Sequence, residues 1–378
     1  MTGDLLELAQ ARLPELLDDL ERLVRCESPS ADLAAIARSA DVVAAVGERR
    51  VGLRPGRRVV DGCSHLSFRF GAGPVRVLLL AHHDTVWPIG SLTRHPWANH
   101  DGVIRGPGTV DMKAGLAMGV HALALLAGRG VDLAGACLLV TGDEEIGSPT
   151  SRRLIEQHAR SARGCLVLEG AAPNGALKTG RKGTSWYRIE IAGRAAHAGG
   201  EPEKGINAAV ELAHLILTVA ELGRPAAGTT VTPTVASAGT TTNTVPAAAE
   251  LQVDVRARTA AEQQRVHAAM QALTPTVPGA GLTVHGGINR PPMEPSGAAE
   301  LFGTAVRLAQ RENLGPLDQR SVGGGSDGNF TAALGVPTLD GLGAVGGGAH
   351  AADEHVLVDA LAPRTALLAA LVDELLGR

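Results

Sequence analysis

The sequence predicts an α/β protein with two domains. The first combines a mixed, largely parallel sheet with flanking helices, and the second is an inserted α+β domain of ferredoxin-like order, βαββαβ. Two observations carry this prediction. Short apolar runs such as 136–141 alternate with helix-like stretches such as 111–128, where small and apolar residues recur at 3.6 spacing. From about residue 184 the strands instead alternate apolar and polar residues, which is typical of half-exposed strands.

The elements of the first domain follow from these periods. Helices are predicted at amphipathic or apolar stretches, and strands at short buried-looking runs: helices 4–25, 32–48, 111–128 and 151–160, and strands 51–54, 65–70, 75–81, 136–141 and 165–170. After the Pro291–Pro292 pair the chain returns to α/β, with helices 299–312, 327–334 and 358–376 around a strand "PTLDGL". The first domain is therefore predicted to span 1–180 and 292–378.

The inserted domain is predicted at 181–291. Its strands are "TSWYRIEIAG", "TVTPTVASAG", "AAELQVDVRAR" and "LTVHGGI", with helices at 205–222 and 259–273 between them. This order leaves one face of the sheet solvated, as the alternating pattern requires.

Composition excludes several classes of function. The formal net charge is −4, no long basic run is present and only 2% of residues are aromatic, which argues against nucleic acid and charged membranes as partners. The sequence contains no uninterrupted apolar window of about 18 residues, so no membrane span is predicted. The acidic N-terminus does not resemble a signal peptide, so a cytoplasmic location is expected. The four cysteines form no CxxC motif, which favours reduced thiols.

Polar side chains follow the apolar run 75–80 in "AHHDTV". Residues i and i+2 of a strand point to the same side, so His82 and Asp84 share a face and His83 points away. Either the strand ends here in an ordinary polar turn, or His82 binds a metal ion and Asp84 orients its imidazole ring.

Further ionisable groups stand where other strands end. Glu144 and Glu145 follow the strand 136–141, and Glu169 ends an otherwise apolar run. Asp111 opens a helix, where a capping role is the simpler interpretation. In open α/β sheets, ligands bind outside the carboxyl ends of the strands, so these carboxylates are expected to converge with His82. A glycine-rich loop near the C-terminus adds His350, with His355 as a rival.

The count of charges suits two divalent ions. Three carboxylates, at Asp111, Glu145 and Glu169, offset three of four positive charges, and a metal-bridging hydroxide offsets the fourth. Glu144 is then left over for proton transfer. Two such ions polarise a carbonyl and generate the nucleophile near neutral pH. Mixed nitrogen and oxygen ligands favour Zn²⁺, with Co²⁺ or Mn²⁺ as alternatives.

The motifs "HHDTV", "GPGTVDMKAG", "TGDEEIGS", "LEG", "GRAAHAG" and "GGGSDG" resemble those of the M20 metallopeptidases, in family order from about residue 20 to 376. Within this family, the motifs resemble those of the glutamate carboxypeptidase branch. The resemblance implies a catalytic domain, an inserted lid and dimerisation domain, and a homodimer. It also implies individual roles: His82 and Glu169 bind one zinc, Glu145 and His350 the other, Asp111 bridges both, Asp84 orients His82, and Glu144 is the general base.

The resemblance also suggests substrate-binding residues. His197 would stabilise the oxyanion, in this family often from the partner subunit, and Asn243 would contact substrate from the lid. Arg256 and Arg290 are candidate partners for a terminal carboxylate, which a guanidinium grips through two hydrogen bonds. Ser326 and its loop would bind the same carboxylate. The simpler interpretations are a loop histidine, a turn asparagine and surface arginines.

Four functions follow from these residues. The first is a zinc-dependent exopeptidase that removes a C-terminal residue, such as glutamate, from a peptide or N-acyl amino acid. The second is an N-acyl amino acid deacylase of the acetylornithine or succinyl-diaminopimelate type. A catalytically inactive binding protein and a phosphoesterase are the other two, and the complete set of proposed ligands with Glu144 argues against the inactive protein.

Overall fold

Helices form where the sequence carries helical periodicity. The computed structural model describes residues 4–377, and in this range it contains eleven α-helices: α1 (Leu5–Ala11), α2 (Leu13–Arg25), α3 (Leu33–Val51), α4 (Ser91–Arg94), α5 (Ala114–Gly128), α6 (Arg152–Ala159), α7 (Ala208–Ala220), α8 (Ala260–Gln271), α9 (Pro295–Arg311), α10 (Gly328–Ala333) and α11 (Val358–Gly377). A π-helical turn at Thr109–Lys113 leads into α5.

Within the same described range, sixteen strands alternate with these helices. They are β1 (Gly56–Val60), β2 (Cys63–Arg69), β3 (Val77–His82), β4 (Ala98–His100), β5 (Val103–Arg105), β6 (Ala136–Thr141), β7 (Gly164–Val167), β8 (Leu177–Arg181), β9 (Gly183–Ala192), β10 (Thr230–Ala238), β11 (Ala248–Ala257), β12 (Gly281–Arg290), β13 (Gln319–Val322), β14 (Thr338–Leu339), β15 (Gly346–Gly347) and β16 (His355–Leu357).

The described chain divides into two units. The first comprises residues 4–180, 295–322 and 326–377, and the second comprises 181–294 and 323–325. Residues 292–294 and 323–325 thus belong to the second unit, whereas the sequence prediction assigned them to the first domain.

The main sheet of the first unit has the strand order β1-β2-β6-β3-β7-β14. The neighbours β6, β3, β7 and β14 are parallel, and β1 and β2 are antiparallel additions at one edge. Successive residues of the central strands enter different apolar clusters, because both sheet faces are covered. Leu79 and Leu138 lie in one cluster, and Leu78 and Leu139 lie in the other.

Two glycines allow close backbone approach beside β7. A Cβ atom on Gly115, in the first turn of α5, would lie 1.8 Å from the carbonyl oxygen of Leu168. A Cβ atom on Gly343 would lie 2.2 Å from that same oxygen. Any larger residue would push α5 or the 343 loop away from the strand end that carries Glu169.

The second unit is an antiparallel sheet with the strand order β10-β11-β9-β12. Its chain order is βαββαβ, with α7 and α8 packed against the sheet. Tyr187, Ile189 and Ile191 of β9 are buried in the apolar cluster, and the alternate residues are exposed. The predicted fold class, including the ferredoxin-like insertion, is therefore confirmed.

A buried carboxylate joins three helices of the first unit. Asp19 of α2 is fully buried and accepts hydrogen bonds from Arg50 Nε at 2.6 Å, from His121 Nε2 at 3.0 Å and from Arg49. Burial alone would raise the pKa of Asp19, but the hydrogen bonds of His121 and Arg50 outweigh it and lower the pKa to about 2.

Asp19→Asn is expected to lower the free energy of unfolding by about 2 kcal/mol near neutral pH. The folded pKa lies below the ordinary value of 3.8, so this stabilisation is complete above that value and is lost as the pH falls toward about 2. Urea unfolding of both proteins, followed by circular dichroism, measures the difference. A difference that stays constant from about pH 6 down to about pH 3 would contradict this assignment.

Candidate metal centre

Three of the predicted ligands follow neighbouring parallel strands. β3 ends at His82 itself, β6 ends at Thr141 shortly before Glu145, and β7 ends at Val167 shortly before Glu169. Since β6, β3 and β7 are adjacent and parallel, their carboxyl ends meet at one edge of the sheet. The strand order therefore brings together residues that lie far apart in the sequence.

One group of candidate ligands contains His82, Asp111 and Glu169. His82 Nε2 lies 3.4 Å from Asp111 Oδ1 and 3.6 Å from Glu169 Oε1. This nitrogen is buried and has no hydrogen-bond partner among the described residues. A buried polar atom without a partner is costly, and it is explained if the atom binds a metal ion.

A second group contains Asp111, Glu145 and His350. His350 Nε2 lies 3.1 Å from Asp111 Oδ2 and 3.2 Å from Glu145 Oε2. Glu145 Oε1 is also buried without a hydrogen-bond partner among residues 4–377. Each group has its ligand atoms within 4.8 Å of one another, and Asp111 offers one oxygen to each group. Two imidazoles and three carboxylates of this kind fit a pair of divalent ions.

The electrostatics of the cluster favour positive charge. Hydrogen bonds to Asp111 and Glu145 raise the pKa of His350 to about 10. Burial alone would lower the pKa of His82, but contacts with Asp111, Asp84 and Glu169 outweigh it and raise the pKa well above its ordinary value. Burial likewise opposes ionisation of Asp111, yet the two imidazoles hold its pKa far below the usual range. Cations are therefore stabilised at both imidazole positions.

Asp84 organises the surroundings of this cluster. Its main-chain carbonyl lies 3.0 Å from His82 Nδ1, closer than its carboxylate Oδ1 at 3.4 Å. A carbonyl only accepts, so Nδ1 carries the proton and Nε2 is left for a metal ion. The carboxylate of Asp84 accepts from the backbone N–H groups of Glu144 and Glu145, each at 3.2 Å, and from the hydroxyl of Ser30 at 2.7 Å. Asp84 thus places both the histidine and the two glutamates.

The C-terminal loop distinguishes the two candidate histidines. His350 belongs to the second ligand group, and its backbone is left-handed with φ of 64°. His355 lies on β16, where its Nδ1 is 2.9 Å from the carbonyl of Asp353, and it belongs to neither of the two ligand groups. Both histidines occupy one glycine-rich segment, so the residues alone leave His355 as a rival, and the family resemblance favours His350.

Ser326 differs from its predicted role. The side chain is fully buried, and its hydroxyl donates to Asp340 Oδ2 at 2.6 Å while accepting from the backbone N–H of Gly328. The single hydroxyl proton is thereby engaged within the loop, so the hydroxyl has no proton for a substrate carboxylate. The prediction of a substrate contact through this hydroxyl is corrected accordingly.

The remaining predicted substrate residues lie in the second unit. Arg256 makes a bidentate pair with Asp254, at 2.8 and 2.9 Å, and donates to Thr184 at 3.1 Å. Arg290 is buried and donates to Asn289 at 3.4 Å.

The structure brings His197 and Asn243 into neighbouring segments of the second unit. Ala198 N–H donates to the Asn243 carbonyl at 2.9 Å, and a β-bridge joins His197 to Thr244. Both predicted residues are exposed. Their backbones are therefore held together while their side chains remain accessible.

Comparison with known proteins identifies the family. A model described as peptidase family M20/M25/M40 matches residues 78–374. This chain belongs to the M20 peptidase family. The predicted family and the predicted hydrolase class are confirmed.

Two curated relatives illustrate the range of this M20 family. The chain is 32% identical to carboxypeptidase G2 of Pseudomonas sp. (strain RS-16), over 98% of this chain and 92% of the relative. It is 27% identical to a succinyl-diaminopimelate desuccinylase of Gluconacetobacter diazotrophicus, over 83% of this chain and 84% of the relative.

Solved structures show the same fold. An M20 metallo-carboxypeptidase from Sulfolobus solfataricus superposes with a TM-score of 0.75 at 17% identity, over 95% of this chain and 98% of the other. A Bacillus subtilis protein described as a dinuclear metal-binding M20 peptidase gives 0.68 at 16% identity, over 97% and 99%.

This M20 peptidase is expected to bind two divalent ions per chain. Because Asp111 belongs to both ligand groups, Asp111→Ala should lose both ions, whereas His350→Ala should lose one. Elemental analysis after dialysis against zinc and gel filtration measures the ratio. His355→Ala, in the same loop, is the matched control and should keep both. Equal metal content in all four proteins would contradict the assignment.

Proposed function

We propose that this M20 peptidase is a dinuclear exopeptidase that removes a C-terminal residue, such as glutamate, from peptides or N-acyl amino acids. The observation that carries the proposal is the pair of ligand groups joined by Asp111. The similarity to carboxypeptidase G2 over 98% of the chain supports the exopeptidase class.

The proposed ligands are His82 and Glu169 for one ion and Glu145 and His350 for the other, with Asp111 between them. When bound, the ions would supply Lewis acidity toward the scissile carbonyl and lower the pKa of an attacking water. We propose Zn²⁺ because imidazole and carboxylate ligands suit it, with Co²⁺ or Mn²⁺ as substitutes.

Glu144 is the proposed general base. It is adjacent to the ligand Glu145, and Asp84 holds the backbone N–H groups of both residues. Its carboxylate would take a proton from the attacking water and return it to the nitrogen of the departing amine, which completes the cleavage without leaving an unstable amide anion.

The proposed substrate carries a free carboxylate. Arg256 uses three of its five N–H groups on Asp254 and Thr184, which leaves two for a substrate oxygen. Arg290 is the second proposed cation, and Asn243 and His197 are proposed to supply polar contacts, His197 toward the developing oxyanion.

We propose that two chains form a homodimer through the second unit. Val210 and Leu217 share one face of α7 at i, i+7 spacing, and they are 46% and 66% exposed. Such side chains are normally covered when they cluster on a surface.

We also propose that the enzyme is cytoplasmic and binds neither nucleic acid nor membranes. The helical stretch Thr109–Gly128 is long and apolar enough to cross a membrane, but 89% of its apolar window is buried within the fold, which is also typical of a core helix.

The alternative is an N-acyl amino acid deacylase, which the similarity to succinyl-diaminopimelate desuccinylases supports. A hydrolysis screen in added Zn²⁺ or Co²⁺ separates the two. It compares N-acetyl and N-succinyl amino acids with N-benzoyl amino acids and dipeptides that share one C-terminal residue, each with a free or amidated carboxyl group. The proposal requires preference for peptidyl or benzoyl substrates and loss of activity on amidation. Equal rates on amidated substrates would exclude an exopeptidase of this kind.

Glu144→Gln is expected to lower kcat by about 10²- to 10⁴-fold, because the amide cannot accept the proton. Metal content should stay at the wild-type ratio, since Glu144 is outside both ligand groups. Steady-state hydrolysis and elemental analysis of the same preparation measure the two quantities. Retention of the wild-type kcat with metal bound would refute the proposed base.

Mixed dimers test whether His197 acts across subunits. His197→Ala and Glu144→Ala homodimers should both be nearly inactive. Random mixing should restore about a quarter of the wild-type activity, because half of the dimers then contain one complete site. Mass spectrometry verifies the heterodimers. If verified heterodimers show no activity, His197 does not serve the partner's site.

A further inference from the structure

We infer that Glu354 is a positioning residue that holds the Asp111 loop and the His350 turn in register for metal binding. This inference rests on the proposed function, since it concerns the same metal centre. Glu354 lies outside both ligand groups and only 3% of its surface is exposed.

The carboxylate of Glu354 accepts four hydrogen bonds, two on each oxygen. Oε1 accepts from the backbone N–H groups of Val110 at 2.9 Å and Asp111 at 3.2 Å. Oε2 accepts from the backbone N–H of Gly108 at 2.9 Å and from the indole of Trp87 at 2.7 Å. All four partners are donors, so only an acceptor-only side chain satisfies them together.

Three of these donors belong to the loop that presents Asp111. The segment leads from Gly108 into the π-helical turn Thr109–Lys113, where Asp111 itself has non-helical backbone angles, with φ of −122° and ψ of 87°. Backbone N–H groups in such a loop lack regular helical partners, and an unpaired buried donor is costly. Glu354 therefore supplies the bonds that fix the backbone from which the shared ligand projects.

The backbone of Glu354 belongs to the turn that carries His350. Its backbone N–H donates to the Ala351 carbonyl at 3.0 Å, and the Ala351 N–H donates to the Gly348 carbonyl at 2.8 Å. His350 sits inside this turn in a left-handed conformation, which costs a non-glycine residue energy and needs external support. One side chain thus relates the backbones of two ligands in the second group.

Trp87 adds a third segment. It lies in the loop that follows β3 and contains Asp84, and its indole N–H reaches Glu354 across 267 positions of sequence. Glu354 stands just before β16, and its carboxylate contacts the segment that follows β3 and the segment that precedes α5. We expect its loss to alter the separation and direction of ligands rather than remove any ligand.

The test is Glu354→Gln, whose amide nitrogen would face donors instead of accepting from them. Co²⁺ is the probe, and its affinity is measured by competition with a chelator while visible absorption reports ligand geometry. The expected result is a 10- to 100-fold loss of affinity, a changed Co²⁺ spectrum and a lower kcat at nearly constant KM.

The matched control is Glu211→Gln. Glu211 is a buried carboxylate of the second unit that accepts from the N–H groups of Thr276 and Val277. It should bind Co²⁺ like the wild type.

Wild-type affinity and an unchanged spectrum in folded Glu354→Gln would overturn the inference while leaving the proposed function intact. A wild-type chain that binds no Co²⁺ would overturn both. If Glu354→Gln does not fold, Glu354→Asp decides: it keeps the charge but withdraws the carboxylate by one methylene. Weakened Co²⁺ binding with an altered spectrum supports the inference, and wild-type binding by this variant refutes it.

Discussion

The gathering of three carboxylates at one end of a buried sheet is the constraint on which the site depends. Asp111, Glu145 and Glu169 repel one another, and they are held together only where imidazoles or cations compensate their charge. The parallel order of β6, β3 and β7 brings Glu145 and Glu169 to the edge where β3 ends at His82, and the turn before α5 adds Asp111. Such a cluster suits the active site of a hydrolase that binds two metal ions.

Around this cluster, buried carboxylates serve as acceptors for backbone groups. Asp84 receives the N–H groups of two successive glutamates, and Glu354 receives those of the Asp111 loop. Asp143, just before the proposed base, accepts from the backbone and hydroxyl groups of Thr150 and Ser151. Irregular loops thereby gain fixed geometry, which a polar centre needs if its ligands are to remain aligned before substrate arrives.

Long periodic segments could be predicted from the sequence, and short ones could not. The order of the inserted domain and the buried strands agree with their patterns, because apolar burial dominates there. The strand predicted at 51–54 is wrong: α3 continues to Val51 and ends at Gly52 in a left-handed conformation. The sequence prediction missed four strands of two or three residues each, because so short a segment cannot show an alternation of apolar and polar residues: β4, β5, β15 and β16. Ser326 and Glu354 depend on partners distant in the sequence, which no local motif displays.

The most direct measurement is anomalous diffraction from crystals grown with Zn²⁺, recorded at the zinc absorption edge. Two peaks per chain are expected, about 3.5–4 Å apart. His82 and Glu169 should contact one peak, Glu145 and His350 the other, and Asp111 both. A single peak, or two peaks away from these five side chains, would rule out a two-ion centre shared through Asp111.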